Sequence, residues 1–252
     1  MSQLHTLHRG GKRFYLNDYG SNTVTPYSYP LIAWWKSSAI TYANPTVLSG
    51  SLVPWRTIDG GGYLASGSTS TGPTYQITSS VIPSLNNSLV VFNSQNLAVI
   101  PSLNLTNSLF TMAVVCYSSA DDVIFGNSTT NLQVRKFRSG VNNISIYDGV
   151  TEAISSTFST VAGNPVVCWY QHVSSGGVVN FYENQTARGT SVAWRGFSST
   201  GLDRMCGNLS APTSFVGGIS EIIIWRYVLS LDEVKNMYLN YFKLNYPGAF
   251  SG

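Results

Sequence analysis

The sequence predicts an all-β chain, an antiparallel sandwich or barrel with an extended N-terminal arm and one short C-terminal helix. Three observations carry this prediction. Only 10% of the 252 residues are charged, far below the roughly 25% of an average soluble domain, and Ser, Thr, Asn and Gly take the place of the charge. Those residues favour turns and β-structure over long helices. From Leu31 onward, short runs rich in β-branched and aromatic residues alternate with Gly, Ser, Asn and Pro punctuation, which is the pattern of many short strands. A lone helix-start signal, Ser230-Leu231-Asp232-Glu233, stands near the C-terminus.

Residues 1–30 read as the arm. Between His5 and Arg13 lie two histidines, Arg9, Lys12 and Arg13 with no acidic residue, followed by a stretch rich in Tyr, Pro, Asn and Ser that ends at Pro30. Phe14, Tyr15, Leu16, Tyr19, Tyr27 and Tyr29 give this arm surface to bury, more than a plain disordered tail carries. Residues 31–252 form the domain. The predicted strands are LIAWW, SLVVF, LFTMAVVCY, DDVIFG, NLQVRKF, NISIYDG, PVVCWYQHV, VVNFYENQ, TSVAW and SEIIIWRYV. In Val178–Glu183 the alternation separates Val179 and Phe181 from polar neighbours, whereas the run around Val114 and Cys116 reads as buried on both faces. Gly60–Thr74 holds too much Gly, Ser and Thr for regular structure and reads as a long loop. Ser230 and Glu233 form a capping box. Leu231, Val234, Met237 or Tyr238, and Tyr241 then recur at helical spacing, and Pro247-Gly248 marks the stop. The expected task of this helix is to cover an end or edge of the sandwich.

Composition also excludes function classes. A hydrophobic fraction of 43% and an aromatic fraction of 13% exclude a disordered chain. A net charge of +3 does not support binding dominated by phosphate contacts, so no nucleic-acid partner is expected. No stretch approaches the ~20 apolar residues of a membrane span. The first residues carry positive charge without a following apolar segment, unlike a conventional secretory signal. Cys116, Cys168 and Cys206 read as buried free thiols rather than disulfide staples. The six N-x-S/T sites, at Asn86, Asn104, Asn127, Asn143, Asn184 and Asn208, are about what chance yields in so Asn-, Ser- and Thr-rich a chain.

The carboxyl end, Val216-Gly217-Gly218-Ile219-Ser220-Glu221-Ile222-Ile223-Ile224-Trp225 through Leu229-Ser230-Leu231-Asp232-Glu233-Val234, resembles the closing strand and helix of concanavalin A-like, laminin G-like jelly rolls. Leu31–Trp35 resembles the opening strand of that family, Trp55–Gly60 its Trp-x-Asp-x-Gly-type turn, and Pro73-Thr74-Tyr75 a Pro-x-Tyr step. Val90–Leu97 resembles the strand before the first sheet crossing, and Phe110–Val115 the first core strand. The resemblance spans roughly Leu31 to Tyr246 and implies a two-sheet antiparallel jelly-roll sandwich. It implies no single function, because adhesion modules, lectins, glycoside hydrolases and structural proteins of viruses and phages share the architecture.

Chemistry narrows the choice. Hydrolases of the family resemble one another in a Glu-x-Asp-x-Glu-like strand, whereas no two of the eleven acids here lie at i, i+2 spacing, so no single strand presents paired carboxylates. His172 is the one histidine of the domain, and no Gly-x-Ser-x-Gly elbow accompanies any serine. No catalytic residue and no cofactor is expected. Asp121, Asp122 and Asn127 offer oxygens to Ca²⁺, but that ion takes six to eight oxygens, and a solvated turn is the simpler reading. His5 and His8 can chelate only weakly. Arg135-Lys136-Phe137-Arg138 reads as a solvated basic strand end. Tyr147, Asp148, Trp194 and Arg195, in or beside loops, are the candidates for binding glycan.

Two functions follow as expectations. The first is a non-enzymatic virion structural protein, a capsid decoration, cement or fibre component on the virion surface, assembled in host cytoplasm. It would dock onto capsid or other virion proteins, or onto a second copy of itself, through Arg9, Lys12, Arg13, Phe14, Tyr15 and Tyr19. The alternative is a lectin module, extracellular or viral, attaching to host glycans.

Overall fold

The computed structural model of the chain describes residues 5–9, 12–16, 24–39, 55–59, 62–66, 73–76, 89–93, 95–106, 108–118, 122–138, 141–174, 176–192, 194–197, 201–207 and 215–250. An N-terminal hairpin of β1 (His5–Arg9) and β2 (Lys12–Leu16) forms a two-stranded sheet of its own. Among the described residues, two eight-stranded antiparallel sheets build the rest. One runs β13 (Glu152–Ile154), β12 (Val141–Asp148), β11 (Leu132–Arg138), β10 (Asp122–Gly126), β17 (Leu202–Met205), β8 (Leu97–Leu103), β5 (Leu64–Ser66), β4 (Trp55–Arg56). The other runs β16 (Thr186–Ser191), β15 (Val178–Glu183), β14 (Val166–Ser174), β9 (Phe110–Ser118), β18 (Val216–Trp225), β7 (Leu89–Asn93), β6 (Thr74–Gln76), and β3 (Leu31–Lys36) also pairs with β18. This is the expected two-sheet antiparallel jelly-roll sandwich with a short C-terminal helix.

Alternating residues of the second sheet serve two cores. Met112, Val114 and Cys116 of β9, Cys168 and Tyr170 of β14, and Ile222 and Ile224 of β18 point between the sheets. Ala113, Val115, Val167, Trp169, Ile223 and Trp225 point the other way, into a second core closed by Val234, Met237, Tyr238, Tyr241, Phe242 and Tyr246. All nine residues of β9 are therefore buried, and its sequence reads as a continuous apolar run because both faces are covered. The covering segment consists of α1 (Leu231–Met237), a π-helical turn at Tyr238–Phe242 and α2 (Lys243–Asn245). Ser230 caps it as predicted: its hydroxyl accepts from Glu233 N, while Glu233 Oε2 accepts from Ser230 N at 2.7 Å. A helix of seven residues is far shorter than the ~12–15 at which isolated helices become even marginal, so packing sustains it. It lies on a sheet face, not at an end or edge, because the aromatic residues on the far side of β9, β14 and β18 require cover.

Residues 24–30, assigned by sequence to the arm, lie against this second core. Trp225 Nε1 donates to Pro26 O at 2.9 Å, Tyr27 packs edge-on against Trp34 and Tyr29 stacks on Tyr227.

At the centre of the second core is Glu221, with no exposed surface. Between Ile219 and Glu221 the pairing of β18 with β9 shifts by one residue. This bulge turns Glu221 toward the helical side instead of leaving it in phase with Ile219. Glu221 Oε1 accepts from Trp34 Nε1 and from Tyr241 Oη, both at 2.6 Å, and Oε2 accepts from Tyr246 Oη at 2.8 Å. Lys36 Nζ stands 4.0 Å from Oε1 and donates to Tyr241 Oη and Asn245 Oδ1. One side chain thus joins β18, β3 and the covering segment. Gly217 and Gly218 mark the closest approach of β18 to its neighbours: a Cβ on Gly217 would lie 2.2 Å from Tyr117 O, and one on Gly218 1.9 Å from Leu89 Cδ1.

The structure departs from the sequence reading elsewhere. Only Thr190 and Ser191 of the predicted TSVAW strand are extended; β16 begins at Thr186 and consists of exposed or half-buried residues that carry no apolar signal. Gly60–Thr74 is not all loop, since Leu64–Ser66 pairs with both β4 and β8. Lys136 is not solvated: it is 2% exposed, and its ammonium lies 4.8 Å from the Phe158 ring centroid and donates to Asn142 Oδ1. The three cysteines are free and buried, and Cys116 and Cys168, far apart in sequence, have their sulfurs 3.9 Å apart between the sheets.

Burial pushes the Glu221 carboxyl above its usual range, and the Lys36 ammonium and the three donors only partly offset that. The native state therefore loses stability as pH rises from the ordinary carboxylate range, about 4.3, through the raised native value, a loss that a glutamine does not suffer. Urea unfolding of the wild type and Glu221→Gln over a pH series is expected to show the wild type's advantage largest in acid and shrinking as pH rises.

Candidate functional site

The described carboxylates of the domain act mostly as structural acceptors. Glu183 is 2% exposed, accepts from Ser159 N at 2.9 Å, Thr160 N at 2.5 Å and Ser159 Oγ, and is ion-paired to Arg188. Burial pushes its carboxyl up, but the donors of Thr160 and Ser159 and the Arg188 charge outweigh burial and hold it below the usual range. Glu152 accepts from Ser145 Oγ, Glu233 caps α1, and Glu221 ties the second core. His172 is likewise structural in its contacts: Nδ1 lies 2.7 Å from Ser108 O, and its ring meets Trp194 edge-on at 4.9 Å.

Polar side chains gather instead at one end of the sandwich, where the β10–β11 connection, the β12–β13 turn, residues 194–197 and residues 201–203 meet. Asn127 organises the first of these. Its Oδ1 accepts from Thr129 N, Thr129 Oγ1 and Thr130 N, and its Nδ2 donates to Gly201 O at 2.6 Å. Asp203 clamps the same connection by accepting from Ser128 N at 2.7 Å and Ser128 Oγ at 2.5 Å. Asp148 holds the second: Oδ1 accepts from Val150 N and Thr151 N, and Oδ2 from Thr151 Oγ1 and from Arg195 N at 2.9 Å. Gly177 makes room for the third. At φ +84° a Cβ there would fall 1.8 Å from Trp194 O, so glycine allows the β14–β15 turn to lie directly on the Trp194 backbone.

Beside these loops, the outer face of the first sheet carries a row fixed by register. Ala98 opposes Arg204, Arg204 opposes Gly126, Gly126 opposes Gln133, Gln133 opposes Tyr147, and Tyr147 opposes Glu152. Directly opposed residues share a face. The alternate set, Leu97, Met205, Phe125, Val134, Ile146 and Ala153, lies in the inter-sheet core, so this row points outward.

Of the residues predicted to bind glycan, the structure brings Tyr147, Asp148 and Arg195 together. Tyr147 is half-buried with its hydroxyl donating to Gly149 O, Asp148 secures the Arg195 amide, and Arg195 is exposed. Trp194 turns inward. It is 2% exposed, with Phe197 and His172 against its ring, and offers no open face for stacking. Of the Ca²⁺ candidates, Asn127 spends its side chain on the turn, Asp121 lies outside the described residues, and Asp122 is described only as backbone of β10. Among the described residues, no three His, Cys, Asp or Glu side chains gather into a metal-sized group. Arg9, Lys12, Arg13, Phe14 and Tyr15 fall on the hairpin strands β1 and β2, known here only as backbone, and Tyr19 lies outside the described residues. Sequence reasoning missed Gly126, Gln133 and Arg204. Their signal is pairing across strands, which no single segment displays.

No family model and no curated protein matches the chain. Among solved structures it is similar to domain 4 of AbnA, an extracellular GH43 arabinanase of Geobacillus stearothermophilus, in complex with arabinotriose. The two are 14% identical over 83% of this chain and 98% of that domain, with TM-score 0.58. It is also similar to the binding domain of Paraclostridial Mosquitocidal Protein 1, at 14% identity over 84% of this chain and 52% of that one, TM-score 0.58. A third is the Trypanosoma rangeli sialidase in complex with sialic acid, at 12% identity over 87% and 34%, TM-score 0.55. At these identities the likeness establishes the fold, and the chain spans about half of the second protein's domain and a third of the sialidase.

Burial pushes the Asp148 carboxyl up, but the hydrogen bonds from Thr151, Val150 and Arg195 outweigh it and hold the group below its usual value. The stability it supplies is present above the ordinary pKa of about 3.9 and is lost as pH falls through the lowered native value. Asp148→Asn is expected to cost about 1–3 kcal/mol at neutral pH, with the deficit shrinking in acid, as followed by urea unfolding.

Proposed function

We propose that the chain is a non-catalytic, lectin-like carbohydrate-binding module, with the loop end and the adjoining outer face of the first sheet as its binding surface. The observation that carries this reading is the sandwich shared with nearly the whole of an arabinanase domain that binds arabinotriose. The site chemistry supports it. A half-buried tyrosine, an exposed arginine and loops rich in Ser, Thr and Asn supply the mixed apolar and hydrogen-bonding surface that polyhydroxylated ligands require, while the described carboxylates are largely spent on structural donors.

The docking role considered for residues 1–30 rests on a different feature. Hairpin β1–β2 is a two-stranded sheet separate from the sandwich, and such hairpins are marginal in water without a packing partner. The structures sharing the fold belong to an arabinanase, a mosquitocidal protein and a sialidase, which favours glycan attachment over assembly into a virion.

The test is a glycan array probed with the full chain, with arabinotriose titrated separately by calorimetry. Binding to at least one saccharide class, reduced in Tyr147→Ala, is the expected outcome. A blank array together with a flat titration overturns the reading.

A further inference from the structure

We propose that the outward row from Arg204 to Tyr147, together with Arg195, is a site for a carboxylate-bearing oligosaccharide. The inference rests on the carbohydrate-binding reading above and adds to it the charge class of the ligand and the residues that select it.

One cation lies on the row and a second stands near its end. Arg204 and Gly126 oppose one another, Gly126 opposes Gln133, and Gln133 opposes Tyr147. Three strand spacings of ~4.8 Å put Arg204 and Tyr147 about 14 Å apart, a length suited to an oligosaccharide rather than a single ring. Arg195 has its backbone amide fixed on Oδ2 of Asp148, the residue after Tyr147, and is itself exposed.

The acids nearest these residues are engaged elsewhere, Glu152, which opposes Tyr147, by accepting from Ser145 Oγ. Asp203 precedes Arg204 in the chain, and both of its oxygens are taken by Ser128. Asp148 follows Tyr147, and its oxygens are taken by Val150, Thr151 and the Arg195 backbone. Among the described residues neither guanidinium has an ion pair or a side-chain hydrogen bond. A guanidinium presents parallel donors that match a carboxylate in a two-point contact.

The middle of the row suits a sugar. Gly126, itself buried, contributes no side chain between Arg204 and Gln133. Gln133 is 3% exposed, and its Oε1 has no donor from the protein. A sugar hydroxyl is the kind of donor that this acceptor lacks, while Tyr147, half-buried, supplies apolar surface beside it.

Calorimetric titration of the full chain with trigalacturonic acid, 3′-sialyllactose and neutral arabinotriose at low ionic strength tests the proposal. At least one acidic saccharide is expected to bind about tenfold more tightly than arabinotriose, with the difference fading as salt is raised. Arg204→Gln and Arg195→Gln are each expected to weaken the acidic ligand about tenfold. Both should leave any neutral binding and the urea midpoint unchanged, since neither side chain holds a partner among the described residues. Neutral sugar bound as tightly as acidic, or arginine variants that bind like wild type, overturns this inference and leaves the carbohydrate reading standing. Equal binding to a short single-stranded DNA, with the same loss in both variants, also overturns it by revealing an unselective polyanion surface. No binding to any of the three saccharides, with a blank array, overturns both.

Discussion

A carboxylate with no exposed surface needs donors around it before a chain can close over it, and much of this architecture follows from how Glu221 meets that demand. Its four neighbours come from two places: Trp34 and Lys36 from the opening strand, and Tyr241 and Tyr246 from the C-terminal segment. The second core therefore requires both ends of the domain to be in position at once. Strand β18 makes this possible by pairing along one edge first with β7, over Val216–Ile219, and then with β3, over Glu221–Trp225. The bulge beside Ser220 aims the acid, and the glycines before it let Tyr117 and Leu89 come close. Partners lost from such a buried charge leave it uncompensated, which is costlier than the net gain from making the contact.

This arrangement divides the molecule. The outer face of the second sheet is committed to Trp169, Ile223, Trp225 and the helical cover, and so holds structure rather than ligand. The first sheet keeps an outward row containing Arg204, Gln133 and Tyr147, and its loops meet at one end under the control of Asn127, Asp148 and Asp203. These three side chains accept or donate ten hydrogen bonds between them, nearly all within their own turns or to the neighbouring one. Loops held this firmly fix the backbone from which Arg195 projects.

The fold was legible in the sequence where burial leaves a compositional mark. Runs such as FTMAVVCYS and SEIIIW announce strands covered on both faces, and the Ser230–Glu233 box locates the helix within a residue. Strands with little apolar signal were missed: the polar edge TARGTS, and β5, too short to show an alternation although Ala65 at its centre is buried in the core. The site was half legible. Tyr147, Asp148 and Arg195 sit beside turn signals, and loop position alone picked them out. Trp194 was grouped with them for the same reason, yet aromatic character does not reveal direction, and the Gly177 contact that folds its backbone inward is a tertiary one. Arg204, Gln133 and Gly126 are separated by up to 78 positions along the chain, and only strand register sets them side by side.

The neighbouring thiols of Cys116 and Cys168 have a consequence of a different kind. Both lie between the sheets with at most 1% of their surface exposed, and burial pushes the Cys168 thiol well above its ordinary range. Thiols so enclosed are out of reach, so the sandwich must open before an alkylating reagent can react. The pair is thus a built-in clock for opening of the sandwich. Its labelling rate measures how often the sandwich opens to its core, and a ligand that clamps the loop end would slow that clock.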